Sequence, residues 1–298
     1  MKPADTKIAF IGLGLMGVPM AHNLLKAGYH LKGFDLNSQV AEKFSGIAGF
    51  ELVSSPAKAI EGSDVTILML PDSAIIDAML WGSNGQPGIA SQFKSGSYLL
   101  DMSSSSPISS RENNQKLSAM GIHFVDAPVS GGVKKAIDGS LAIIVGGQKS
   151  DFEVCLPLLE KMGKSIVYVG TAGAAHAVKA LNNYVSAAGL IAASEALNAA
   201  EKFGLDPHVV NTVFNASTGR NNTTENKVEN FMLNEAFNSG FSLALMRKDL
   251  QIALGLIEGM NCYSSLAKQC VATARAADEQ LGKGADHTAM YGFVKAQS

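Results

Sequence analysis

Three shortages in this chain each count against a class of protein. Cysteine occurs only three times in 298 residues, as Cys155, Cys262 and Cys270, without C-x-x-C spacing. A disulfide framework or a cysteine zinc site is therefore disfavoured, and a reducing, cytoplasmic setting is expected. Charge imbalance is small: a formal net charge of -2 offers no field for holding nucleic acid or an anionic membrane. No run approaches ~18 uninterrupted apolar residues, so no membrane-spanning helix is expected. The N-terminus passes from M-K-P-A-D-T-K directly into I-A-F-I-G, without a signal-like stretch. No ligand cluster suggests a metal, and no internal repeat or low-complexity segment is visible. What remains is 47% hydrophobic against 17% charged residues, in a length that accommodates two domains with a core each.

The first half carries a nucleotide-binding pattern. Lys7 to Ile11 is a short, β-rich apolar run of the kind that forms a buried parallel strand. Gly12-Leu13-Gly14-Leu15-Met16-Gly17 follows at once, then a helical pattern, then a second apolar run from His30 to Phe34 that ends in Asp35. Strand, G-x-G-x-x-G, helix, strand and acid in this order form a dinucleotide-binding unit. Gly12 permits the tight turn, Gly14 lets the backbone approach a pyrophosphate, and Gly17 lets helix and strand pack closely. Asp35 is placed to accept from an adenosine ribose and to repel a 2′-phosphate. Leu36, Asn37 and Ser38 add no arginine, so NAD is favoured over NADP, a preference that Lys43 or a lysine from elsewhere in the chain could change by reaching over.

Strands alternating with helices continue to Gly170. V-T-I-L-M-L after Asp64 is a buried strand stopped by Pro71, and Asp72-Ser73 caps a helix through Leu80. Gly82 to Gly88 reads as a loop, and Ser97 to Asp101 as a strand. The serine run Ser103 to Ser106 either caps the next helix or presents one hydroxyl to cofactor or substrate. Gly121 to Val125 is a further strand, closed by D-A-P-V-S-G-G. In that loop Ser130, Gly131 and Gly132 form either a nest of amides suited to a carboxylate or a plain turn. Gly139 to Gly147 and Ser165 to Gly170 read as the last strands, with Asp151 to Met162 helical between them.

The stretch G-T-A-G-A-A-H-A-V-K-A-L-N-N, Gly170 to Asn183, changes the pattern. Gly173 suits a helix start packed closely against a neighbour. His176, Lys179, Asn182 and Asn183 recur at spacings of three and four and so share a helix face. That helix runs to Phe203, with Gly204 as its stop; about 30 residues at 1.5 Å each give roughly 45 Å, enough to bridge two domains. Everything beyond is helical in pattern. The fold expected is an α/β Rossmann dinucleotide-binding domain over residues 1–172, joined by this long interdomain helix to an all-α substrate and oligomerisation domain over 173–298. Arg247-Lys248-Asp249 reads as a solvated helix face. Arg220, in the polar loop Ser217 to Asn222, either meets a substrate carboxylate or ties down its loop.

Taken together, I-A-F-I-G-L-G-L-M-G-V-P-M-A-H-N-L, M-L-P-D-S, D-M-S-S-S-S-P, D-A-P-V-S-G-G, the Lys179 stretch and M-R-K-D-L resemble the β-hydroxyacid dehydrogenases, the group that includes 3-hydroxyisobutyrate dehydrogenase and tartronate semialdehyde reductase. The similarity covers nearly the whole length. It implies that Lys179 is the catalytic lysine and that Asn183, one turn on, orients the substrate. It implies that Ser130, Gly131 and Gly132 bind the substrate carboxylate. It also implies that Leu70, Pro71, Ser104 and Lys248 contact the cofactor together with Gly12, Gly14, Leu15, Met16, Gly17 and Asp35. The family usually has glycine where Ala175 stands, and the added methyl is expected to crowd the approach of helix to sheet.

The chemistry implied is reversible hydride transfer between NAD and a small 3-hydroxy carboxylic acid, or its semialdehyde, with Lys179 as general acid and base. A homodimer or homotetramer is expected. Two other readings are a related carbonyl or imine reductase, which generally lacks the lysine, and a non-catalytic dinucleotide-binding module. The role of His176 stays open.

Overall fold

In the computed structural model, which describes residues 1–297, the run Lys7-Ile8-Ala9-Phe10-Ile11 forms a strand buried on both faces, β1 (Lys7–Ile11). The other strands are β2 (His30–Phe34), β3 (Phe50–Leu52), β4 (Val65–Leu68), β5 (Gly82–Ser83), β6 (Gln86–Pro87), β7 (Tyr98–Asp101), β8 (His123–Asp126), β9 (Val129–Ser130), β10 (Leu141–Gly146) and β11 (Gly163–Gly170). The main sheet runs β11-β10-β8-β7-β4-β1-β2-β3, with β9 paired to β10. From β3 to β8 all neighbours are parallel; β10 then lies antiparallel to β8 and β9, and β11 parallel to β10. The order reverses between β1 and β4, the switch point outside whose carboxyl ends open α/β sheets bind ligands.

Alternation along β1 divides its side chains between two cores. Ile8 and Phe10 join Leu24, Leu31, Val65, Ile67 and Val125 on one face. Ala9 and Ile11 join Leu68, Ile76, Leu80, Leu99 and Phe124 on the other. The helices of this unit are α1 (Gly17–Lys26), α2 (Pro56–Ile60), α3 (Ser73–Trp81), α4 (Pro107–Ala119), α5 (Gly132–Ile137) and α6 (Lys149–Leu159). Asp72 caps α3 by accepting from the Ile75 amide, as its position before an apolar run suggests.

The long helix α7 (Ala174–Phe203) has the expected bounds. By compactness the chain divides between Lys179 and Ala180, so α7 begins in the first unit and continues through the second. The second unit adds α8 (Pro207–Ala216), α9 (Asn222–Asn226), α10 (Leu243–Gly259), α11 (Ser265–Leu281) and α12 (Met290–Ala296), with a π-helical turn at Val228–Met232. Its core gathers Leu190, Leu197, Val228, Met232, Leu243, Met246, Leu250, Ala274, Met290 and Phe293. Among the described residues no helix is long and apolar enough to cross a membrane.

One local expectation fails. Gly82 to Gly88 is not a plain loop but the hairpin β5–β6, in which Asn84 and Gly85 both take positive φ, 50° and 77°. Asn-Gly is the residue pair such two-residue hairpin turns prefer. Strand β3, for which there was no expectation, is three residues long and, among the described residues, pairs with β2 at the edge of the sheet.

Candidate active site

The turn after β1 is built on Gly12, whose φ of 97° and close approach to the Met69 carbonyl exclude a side chain. A Cβ on Gly14, by contrast, would meet nothing within 4 Å, so the backbone there fronts open space. That space is a cavity of about 670 Å³ lined by Leu13, Gly14, Leu15, Asp35, Lys43 and Val133, among others. Asp35, at the end of β2, accepts from the Leu13 amide at 2.7 Å and the Asn37 amide at 2.8 Å. The carboxylate is thereby fixed beside the glycine turn. Lys43 lines the same cavity as Asp35.

The serine run after β7 divides its labour. Ser106 caps α4, accepting from the Ser109 amide. Ser103 and Ser105 are buried and both are tied to Asp101: the Ser103 amide donates to Oδ1 at 3.0 Å and the Ser105 hydroxyl to Oδ2 at 2.6 Å. Ser104, between them, is half-buried and makes no hydrogen bond among the described residues. The Ser103 hydroxyl accepts from the Leu70 amide at 2.9 Å, joining this segment to the Leu70–Pro71 loop. The capping reading of the run therefore holds at Ser106, and Ser104 is the serine of the run whose hydroxyl is not taken up by these bonds.

Lys179 is placed by the start of α7. Gly173 has φ 82°, and an added Cβ there would come within 2.6 Å of the Pro107 carbonyl, so the helix opens against α4. Its first amides converge on Asp126, a fully buried carboxylate at the end of β8. Gly173 donates to Oδ1 at 2.9 Å; Ala175 and His176 donate to Oδ2 at 2.9 and 3.1 Å. A carboxylate at a helix N-terminus satisfies amides that lack helical partners and meets the positive end of the dipole. One turn on, the Lys179 ammonium donates to the Val129 carbonyl at 2.7 Å. Val129 immediately precedes Ser130, Gly131 and Gly132, all exposed, and both glycines take positive φ, 128° and 67°. The lysine and the expected carboxylate loop are therefore neighbours within the first unit.

The methyl of Ala175 does not crowd the helix away from the sheet. Ala175 is fully buried and its amide still reaches Asp126, because Gly146 opposite has no side chain; a Cβ there would lie 2.5 Å from Asp126.

In the second unit the solvated-face reading of Arg247-Lys248-Asp249 is overturned. Asp249 is buried and accepts from Asn183 Nδ2 at 2.6 Å, and Arg247 pairs with Asp278 of α11 at 2.9 Å. Lys248 is half-buried on α10. Asn183 also accepts from Asn182 at 3.1 Å, so its amide is held from both ends. Arg220 is engaged by Glu225, with its Nε 2.6 Å from Oε1; this ties down the loop before α9.

Three carboxylates outside the expected set hold residues of that set or their neighbours: Asp101 and Asp126 in the first unit, and Asp249, bonded to Asn183, in the second. The signal for the first two was present, since each is an acid closing an apolar strand at the ligand-binding edge of the sheet.

Comparison with known proteins places the chain. Residues 7–170 match the family described as the NAD binding domain of 6-phosphogluconate dehydrogenase, and residues 173–294 the family described as NAD-binding of NADP-dependent 3-hydroxyisobutyrate dehydrogenase. The chain is 39% identical to 2-(hydroxymethyl)glutarate dehydrogenase of Eubacterium barkeri, over 83% of this chain and 81% of that one. The chain belongs to the β-hydroxyacid dehydrogenases. Mouse mitochondrial 3-hydroxyisobutyrate dehydrogenase is 40% identical to this hydroxyacid dehydrogenase over 84% of its length and 75% of the mouse protein. A solved structure of Mycobacterium tuberculosis 3-hydroxyisobutyrate dehydrogenase with L-serine superposes with a TM-score of 0.87, at 31% identity, covering 97% of this chain and 99% of that one. The protein is thus an oxidoreductase acting on CH-OH groups, in a family that binds a nicotinamide dinucleotide.

Proposed function

We propose that this dehydrogenase uses NAD to interconvert a small 3-hydroxy carboxylic acid and its semialdehyde, with Lys179 as the general acid and base. The observation that carries the reading is the 2.7 Å bond from the Lys179 ammonium to the Val129 carbonyl, which holds the lysine beside Ser130. The cavity bounded by Gly14 and Asp35 suits a dinucleotide, since it is large, fronted by glycine backbone and flanked by a carboxylate at the end of β2. When bound, the nicotinamide supplies the acceptor or donor of hydride.

The chain's own residues do the rest. Ser130, Gly131 and Gly132 hold the substrate carboxylate and so fix which carbon reacts. Lys179 takes the hydroxyl proton on oxidation and returns it to the developing alkoxide on reduction. Asn183, its amide held by Asp249, orients the hydroxyl. Gly12, Gly14, Leu15, Met16 and Gly17 face the diphosphate, and Asp35 accepts from the ribose. Leu70, Pro71, Ser104 and Lys248 contact the rest of the cofactor.

Residues 1–172 are assigned to cofactor binding, and residues 173–298 to substrate selection and self-association as a dimer or tetramer. Apolar side chains exposed in the second unit, Phe203 at 83% and Val209 at 60% among them, support self-association.

The test is hydride transfer, followed by NADH absorbance, with 3-hydroxyisobutyrate, glycerate, threonate, serine and 4-hydroxybutyrate. Turnover of a 3-hydroxy acid that disappears in Lys179→Ala supports the reading. A folded, NAD-binding protein that oxidises none of them sinks it.

A further inference from the structure

His176 is the one polar side chain between Gly173 and Lys179, in a first turn otherwise made of alanine and valine. It is 1% exposed and does not belong to the acid–base scheme above. Both its ring nitrogens are used. Nε2 lies 3.2 Å from the Ser103 carbonyl, and a carbonyl only accepts, so Nε2 carries a proton and donates. Nδ1 lies 2.7 Å from the Ser110 hydroxyl on α4.

The bond to Ser103 reaches the residue directly before Ser104. On its other side Ser104 is followed by Ser105, which Asp101 anchors, and Ser103 is also tied to Asp101 and to the Leu70 amide. From the histidine in the other direction, its own amide is bound to Asp126, and Lys179 stands three residues on. A chain of hydrogen bonds, buried except at the part-buried Leu70 amide, therefore joins the Leu70 loop, the Ser104 segment and the start of the lysine helix, and the His176 side chain bonds the last two directly.

We propose that His176 is a positioning residue, coupling the segment that presents Ser104 to the cofactor with the helix that presents Lys179 to the substrate. The inference rests on the function proposed above. Hydride transfer requires donor and acceptor to be held within a few tenths of an ångström, and small misplacements cost large factors in rate. A histidine bonded across the two segments sets their separation in a way the alanines beside it do not.

Two substitutions separate this role from mere packing. A glutamine amide extends to about the level of Nε2 and keeps a donor for the Ser103 carbonyl. An asparagine amide stops at about the level of Nδ1 and keeps only the Ser110 side. With a 3-hydroxy acid that the wild type turns over, His176→Asn is expected to lower kcat roughly 10- to 100-fold and to raise the primary deuterium isotope effect. KM and NADH affinity are expected to stay within about threefold, and His176→Gln to retain kcat within about fivefold. Circular dichroism and thermal melting report the folded fraction separately.

A folded His176→Asn with wild-type kcat and isotope effect would overturn the proposal, as would equal losses in both variants. If His176→Asn does not fold, His176→Gln carries the test: retained rate supports the link, and a tenfold loss at intact fold rejects it. A wild type inactive on every hydroxy acid rejects the function itself and this inference with it. A working wild type with an indifferent histidine rejects the inference alone.

Discussion

The Lys179 ammonium donates to the carbonyl of Val129 at 2.7 Å, and the residue after that carbonyl is Ser130. The proposed acid–base group and the proposed carboxylate loop are thus joined by one hydrogen bond. Removing the ammonium is expected to remove proton transfer while leaving the cavity beside Gly14 and Asp35, where the dinucleotide is proposed to bind, untouched. For Lys179→Ala we expect kcat to fall by roughly 10²–10⁴, the usual size for a general acid–base group, with NADH affinity little changed. Stopped-flow hydride transfer and NADH fluorescence titration measure the two separately. A variant that loses NADH binding in proportion to its rate would make the lysine a structural element.

Asp35 and Lys43 share one cavity and carry opposite charges, so they are expected to act oppositely on a ribose 2′-phosphate. Asp35→Ala is expected to weaken NADH binding about tenfold and to narrow the preference over NADPH, because the ribose loses its acceptor and the repulsion disappears. Part of the loss is local, since the Leu13 amide gives up its partner. Adding Lys43→Ala is expected to reverse the gain for NADPH. Titrations of both cofactors against the two variants check this, and an unchanged NADH to NADPH ratio in Asp35→Ala removes the residue from the site.

How much of this was legible in the sequence follows from the range of the interactions. The turn at Gly12, the strand ending in Asp35 and the cap at Asp72 rest on neighbours within a few residues, and each was readable. The long helix was readable too, because Gly173 and Gly204 mark its ends. Asp126 was visible as a letter in D-A-P-V-S-G-G, but the amides it binds lie 47 to 50 positions away. His176 likewise meets partners 66 and 73 positions away. Asp249 was misjudged for the same reason, since a charge next to arginine and lysine looks solvated until Asn183 is brought onto it. The hairpin at Asn84-Gly85 is different: its signal was local and simply outweighed by the run of glycines around it.

Asp126 accepts three amides in a site with no exposure, so its replacement leaves buried donors without partners. Asp126→Asn keeps one oxygen and turns an NH₂ group toward N–H groups. A loss of about 2–4 kcal/mol of stability is expected, read as a lower urea midpoint, because bonds to a charged acceptor are lost and buried donors are stranded. Asp126→Ala is expected to cost more. Melting curves unchanged in both variants would show that the α7 amides find other acceptors.

His287 is expected to make the second unit less stable in acid. Burial, and then the charge of Lys227, push its pKa down from 6.5 to about 4, against the pull of Asp286 and the Phe241 carbonyl. Its Nδ1 lies 3.0 Å from that carbonyl and 3.1 Å from the Ser239 hydroxyl. A neutral folded histidine means that the unfolded chain binds more protons between about pH 6.5 and pH 4. Stability therefore falls as pH falls through that window, by a total of about 3 kcal/mol, and the loss levels off below the folded value.

Asp286 adds a loss in the same direction at lower pH. Burial raises its pKa, but bonds from Thr288 and Ser239 outweigh that and hold the carboxyl below its ordinary value, so its contribution disappears only as the pH drops further. Urea denaturation at pH 7, 5.5 and 4.5 is expected to show the decline in wild type and a much flatter profile in His287→Gln, which cannot titrate. Parallel profiles for the two proteins would assign the acid loss to other groups.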